Sequence, residues 1–232
     1  MTRTITSKDL RVLWCSPIPY VVAALFHVVL AILYVGELTS RRQALVQPLF
    51  PIAGFLLVTL VPILCMRAVA EEARTGTLDL LQAIPVGGRA LVFGKWLAAW
   101  TTTIAVLAPA LLYAVVLRWF GRPDSGPIVS GFIGLALLAA ALTGLGVLAS
   151  TLTSSQPVAA VIALFVSLLL WFVRGGSPSS AVGASLSRFS LSERLHSFAG
   201  GVVDTADVVF LVALALAATI VATAVVDSRR CE

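Results

Sequence analysis

EEARTGTLDLLQAIPVGGRALVFGK, Glu71 to Lys95, is a charged island between long apolar runs. Six of its 25 residues are Asp, Glu, Lys or Arg, whereas the 47 residues from Pro127 to Val173 contain none. Burying Glu71, Glu72, Arg74 and Asp79 in lipid would cost on the order of 10 kcal/mol, at about 2.5–3.5 each. The island is therefore read as sitting in water, with membrane on both sides of it. Its composition is not that of a plain linker. After Gly76, Thr77 is suited to cap a helix whose first turn holds Asp79, favourable against the positive end of the dipole. Leu78, Leu81 and Ile84 follow on one face at helical spacing, and Pro85 stops the helix. A short amphipathic helix between two spans suits docking into a groove on a partner. The plainer alternative is a solvated loop resting on its own membrane surface.

The whole chain agrees with a membrane reading. It has 232 residues, of which 59% are hydrophobic, and a mean hydropathy of +1.01, against an apolar share of roughly 45–50% for soluble domains. The net charge of +5 comes from basic residues scattered among loops, which is a mark of topology and not of a nucleic-acid patch. Cys15, Cys65 and Cys231 are far apart and odd in number, so they give neither a disulfide framework nor a zinc spacing. The N-terminus carries Arg3, Lys8 and Arg11 before an apolar run that continues through Gly36 without a small-residue cleavage site, as in an uncleaved first span.

A helix needs about 20 apolar residues to cross the hydrocarbon core. Six segments qualify: 17–35, 45–66, 97–117, 127–152, 157–173 and 208–226. The fold class is read as all-α and polytopic, one transmembrane domain over 1–232; alternating segments for a barrel are missing. Pro51, Pro62 and Pro109 are candidate kinks. Ser7 to Ser16, with Trp14 at its end, reads as an amphipathic helix lying on the membrane surface. With both termini cytoplasmic, inside segments hold nine Lys/Arg and outside segments seven, a weak bias toward that orientation. In the fourth span Ala136, Ala140 and Gly144 recur every four residues, a spacing that lets helix backbones approach. Leu186 to Phe198, semi-apolar and followed by Gly200-Gly201, suits an interfacial or re-entrant helix before the last span.

Chemistry is sparse. GGRALVFGKW, Gly87 to Trp96, imitates a phosphate loop but has Arg89 five residues before Gly94, and Trp96 where a Ser or Thr is needed for magnesium. The chain is therefore expected not to bind ATP, to need no cofactor or metal of its own, and not to be an enzyme. His27, well inside a span, reads as hydrogen-bonded in a packed interface. The scarcity of intramembrane charge argues against an ion-coupled carrier.

The run Glu71-Glu72, Arg74, Gly76-Thr77-Leu78, Leu81, Pro85-Val86, Gly94-Lys95 resembles the signature between the second and third spans of ABC-type-2 transporter permeases, the membrane subunits of many bacterial exporters. The six-span layout, the surface helix and the outer re-entrant segment resemble the same family. Leu191 to Phe210 further resembles the branch with permeases of gliding motility and nitrous-oxide reductase maturation. The resemblance implies two permeases, homo- or heteromeric, forming a pathway in the cytoplasmic membrane. It also implies separate cytoplasmic ABC ATPase subunits that bind ATP and magnesium. Each ATPase would dock on the coupling helix at Gly76 to Ile84, with Glu71, Glu72 and Arg74 just before it and Pro85 after. A non-transporting membrane anchor that recruits a cytoplasmic protein through the same helix remains the other reading.

Overall fold

The computed structural model describes residues 2–41, 45–71, 88–120, 124–173 and 189–228. Every regular element among these is a helix. In chain order they are α1 (Thr2–Cys15), α2 (Ile18–Arg41), α3 (Leu49–Cys65), α4 (Gly88–Leu107), a 3-10 turn (Ala108–Ala110), α5 (Leu111–Phe120), α6 (Ser125–Leu152), α7 (Gln156–Phe172), α8 (Leu191–Ala199) and α9 (Thr205–Ser228). Four stretches are long and apolar enough to cross a membrane: Ile18–Arg41, Gly88–Trp119, Ser125–Leu152 and Thr205–Ser228. The apolar helices α3 and α7 have 17 residues each.

Two boundaries differ most from the sequence reading. The first span was placed at 17–35, but α2 runs on to Arg41, where the Arg41 Nε to Glu37 Oε1 pair at 2.6 Å joins consecutive turns. The third was placed at 97–117, but its helix begins at Gly88, nine residues earlier. Farther along, Pro109 lies in the 3-10 turn between α4 and α5. In the 3-10 register the carbonyl of Val106 would look to residue 109, which has no N–H. His27 Nε2 lies 2.9 Å from that carbonyl, and the Tyr113 hydroxyl donates to the His27 carbonyl at 3.0 Å. His27 thus has the interface role expected of it.

The bundle is assembled around α6. Small residues let four neighbours reach its backbone. A Cβ on Gly134 would sit 2.7 Å from Phe198 of α8, and one on Gly146 would sit 2.5 Å from Cys65 Cβ of α3. Gly131 faces the Phe50 ring and Gly144 the backbone of Ala215 in α9. Ala136 and Ala140 receive something different: Trp100 and Trp96 of α4, stacked on each other, donate their indole N–H groups to these carbonyls at 3.0 Å each. The four-residue stripe therefore serves two partners, α4 and α9.

Ser190 opens α8 by accepting from the Glu193 N–H, the start of a Ser-x-x-Glu capping pattern. Leu191, Leu195 and Phe198 are fully buried against α3 and α6, so this short helix is folded into the core and does not simply lie along a surface. Gly201, at φ +91, turns the chain toward α9, a conformation that an L side chain rarely adopts. Arg194 then pairs with Asp207 at the start of α9 and lies 3.9 Å over the Phe210 ring.

Candidate functional site

The chain leaves α3 through a turn at 66–69 and becomes helical again at 70–71. A helix start has N–H groups without intrahelical acceptors. Here the acceptor comes from another helix: the buried Ser150 hydroxyl of α6 accepts from the N–H groups of Val69 and Ala70, both at 2.9 Å, and donates to the Met66 carbonyl at 3.3 Å. One side chain therefore ties the start of the charged segment to the end of α6.

At the far end of that segment, Gly88 begins α4 directly against the Asp227 carboxylate of α9, with no room for a Cβ. Between the two anchor points lies a small apolar cluster, separate from the main core. It consists of Val69, Leu91, Val92, Val147, Ala222 and Val226, with Trp96 and Leu148 packed on it. The residues come from both flanks of segment 72–87 and from α6 and α9, so any displacement of the flanks bears directly on those two helices.

The last part of the island is not in water as the sequence suggested. Lys95 is only 4% exposed and lies in the second turn of α4, 3.5 Å from Asp9 of α1. Thr6 of α1 also donates to the Gly94 carbonyl at 3.2 Å. These contacts set α1 along the beginning of α4, and the outward side of α1, with Val12 and Trp14, stays exposed. The charge that looked like a solvated loop residue is half of a buried ion pair, and a buried charge needs its partner.

Of the sequence-predicted site residues, Glu71 is described. Its carboxylate is 3.9 Å from Arg67 Nε, and both side chains are about two-fifths exposed; such a pair contributes about 0–1 kcal/mol. Glu72, Arg74, Gly76, Thr77, Leu78, Leu81, Ile84 and Pro85 lie outside the described residues. Ser150, Asp9 and Asp227 were not singled out by sequence reasoning. Ser150 carried no local signal, because the turn it caps is the one after α3, 81 and 80 residues away along the chain. Among the described residues no three of His, Cys, Asp and Glu come together as a metal site.

Comparison with known proteins accords with this geometry. No curated protein matches the chain. The family described as ABC-2 family transporter protein matches residues 17–190, that is 174 of 232 residues, from just before α2 to the cap of α8. Membership carries with it the membrane and association with an ABC ATPase. With three-quarters of its length matched and its apolar helices arranged as described, the chain belongs to the ABC-2 family of transporter membrane proteins.

Proposed function

We propose that this chain is the permease subunit of an ATP-driven exporter in a bacterial cytoplasmic membrane, working as a dimer with a second permease. Separate ATPase chains dock on the segment after α3, with Leu78, Leu81 and Ile84 as the apolar contact face. ATP and magnesium belong to those partners, and this chain has no catalytic role of its own. The reading takes α2, α3, α4–α5, α6, α7 and α9 as six spans, with both termini on the cytoplasmic side. At about 1.5 Å per residue α3 and α7 cover roughly 25 Å, at the short end of what crosses a bilayer.

The observation that carries the proposal is the Ser150 cap, together with the small cluster beside it. A docking segment is useful to a transporter only when its movement reaches the pathway helices. Here the start of the segment is hydrogen-bonded to α6, and its end abuts α9. Closure of the ATPases around ATP would push the segment, and the push would tilt α6 and α9 through these contacts.

The test is Leu81→Asp. It is expected to leave membrane insertion intact while abolishing stimulation of a coexpressed ABC ATPase by the permease. Unchanged stimulation contradicts the docking role. In sealed vesicles, recruitment of the ATPase without ATP-dependent cargo movement would instead support a non-transporting anchor.

A further inference from the structure

The third apolar span is broken at the 3-10 turn Ala108–Ala110, where Pro109 stands between α4 and α5. Proline removes a helix hydrogen bond, and a short 3-10 stretch in mid-helix is a common place for a hinge. One residue of α2 holds both sides of the break. Before it, His27 Nε2 lies 2.9 Å from the Val106 carbonyl; a carbonyl only accepts, so this nitrogen carries the hydrogen and donates. After it, the Tyr113 hydroxyl of α5 donates to the His27 carbonyl at 3.0 Å, and the two rings stack with centroids 6.3 Å apart and planes 16° from parallel. Tyr34, farther along α2, meets the Tyr113 ring edge-on at 6.0 Å and donates its own hydroxyl to the Leu45 carbonyl. The rest of α5 is held lightly. Ala114 and Leu117 are buried, but Leu111, Leu112, Val115 and Val116 are about half exposed and Trp119 is 83% exposed. No described glycine meets α5 at close range, so α5 lacks the ring-on-glycine packing that fixes α8.

We infer that α5 is a hinged lid, shut on α2 by the His27–Tyr113–Tyr34 clasp and opening as a unit about Ala108–Ala110. Ala110 is fully buried and forms the pivot, whereas Ala108 and Pro109 beside it are exposed. Opening breaks the Tyr113 hydrogen bond and two ring contacts. It leaves α4 in place, with Trp96 and Trp100 still donating to α6. The Val106 carbonyl also keeps its donor, because the His27 side chain stays with α4. His27 thus serves the pivot with its ring nitrogen and the latch with its backbone carbonyl. Opening uncovers Tyr34, which is only 2% exposed while the lid is shut. Since α4 begins beside the charged segment, the lid lies at the opposite end of that span. The inference concerns this chain alone and rests on neither docking nor transport.

Double electron–electron resonance on the whole chain in lipid nanodiscs tests the lid without any ATPase. Cys15 and Cys231 are replaced by Ser, buried Cys65 is left in place, and spin labels are attached at Trp119→Cys on α5 and Val209→Cys on α9, both exposed positions. A major distance for the shut lid and a minor one for the open lid are expected. Tyr113→Phe keeps the ring and removes the hydroxyl, and it is expected to raise the open-to-shut ratio about fivefold, as for one net hydrogen bond. Tyr113→Leu also removes the stacking and is expected to raise the ratio further. Pro109→Ala restores an N–H at the break and is expected to abolish the second distance. Labels at Thr101→Cys, in α4 before the break, and Val209→Cys are expected to report one unchanged distance in every variant. Should Tyr113→Leu fail to fold, Tyr113→Phe and Pro109→Ala still act in opposite directions. A single distance that none of these substitutions alters overturns the proposal. A shift in Tyr113→Phe that is equally large from position 101 also overturns it, because the whole span would then be moving.

Discussion

At the end of the bundle where α8 folds in, Phe50, Phe198, Leu191 and Leu195 are fully buried, and rings press on glycine backbones. At the opposite end, six smaller side chains form a separate cluster, and the adjoining turn is held by three hydrogen bonds to one serine. The first kind of packing resists displacement, because moving any element drives a ring into a backbone. The second yields more readily: each net hydrogen bond is worth about 1 kcal/mol, and small apolar contacts slide at low cost. A molecule that must take a push at one end and keep its helices together needs this division. The soft end is the one from which the proposed docking segment departs.

Three tests probe the contrast. The largest effect is expected from Phe198→Ala, which empties the site over Gly134 and should destabilise the protein by about 4 kcal/mol in reversible unfolding from mild detergent. A value below about 1 kcal/mol would mean that the α8 end is not the rigid one. Next, Lys95→Met takes the buried ammonium away from Asp9 and is expected to cost about 3 kcal/mol, while Asp9→Leu with Lys95→Met recovers most of that loss. The same unfolding measurement, made as a double-mutant cycle, checks it; no recovery would mean that the pair is not coupled. The smallest change in stability belongs to Ser150→Ala, about 1–2 kcal/mol for a lost cap. Its effect on coupling is expected to be the larger one, with stimulation of the ATPase falling severalfold while unfolding shifts little. Stimulation that falls only as far as stability does would remove Ser150 from the transmission route.

What the sequence made legible, and what it hid, follows from how far each signal reaches along the chain. Apolar runs located the membrane helices to within a few residues at most ends, because burial in lipid is decided over each helix by its own composition. His27 was readable as an interface residue, since a lone polar ring in an apolar span needs a partner. Lys95 was not readable. Its partner Asp9 is 86 residues away, and Gly88 and Arg89 look like the continuation of a loop when they are in fact the first turn of a helix. Ser150 was hidden for a related reason. A serine in a helix ordinarily bonds its own preceding turn, and only the neighbouring chain end reveals that this one caps another helix. The buried packing of α8 also escaped, because its mixed sequence fits a surface as well as a core until Gly54 and Gly134 are seen to make room for Leu195 and Phe198.

The central claim, that the segment after α3 receives the ATPase, is tested most directly by site-specific cross-linking. A photoreactive phenylalanine is placed at Leu81 and, as the control, at the exposed Val202 beyond α8, with an ABC ATPase coexpressed. The account predicts an adduct of permease and ATPase from position 81 and none from position 202. Adducts of equal yield at both positions, or an ATPase that stimulates transport without any adduct at 81, would contradict it.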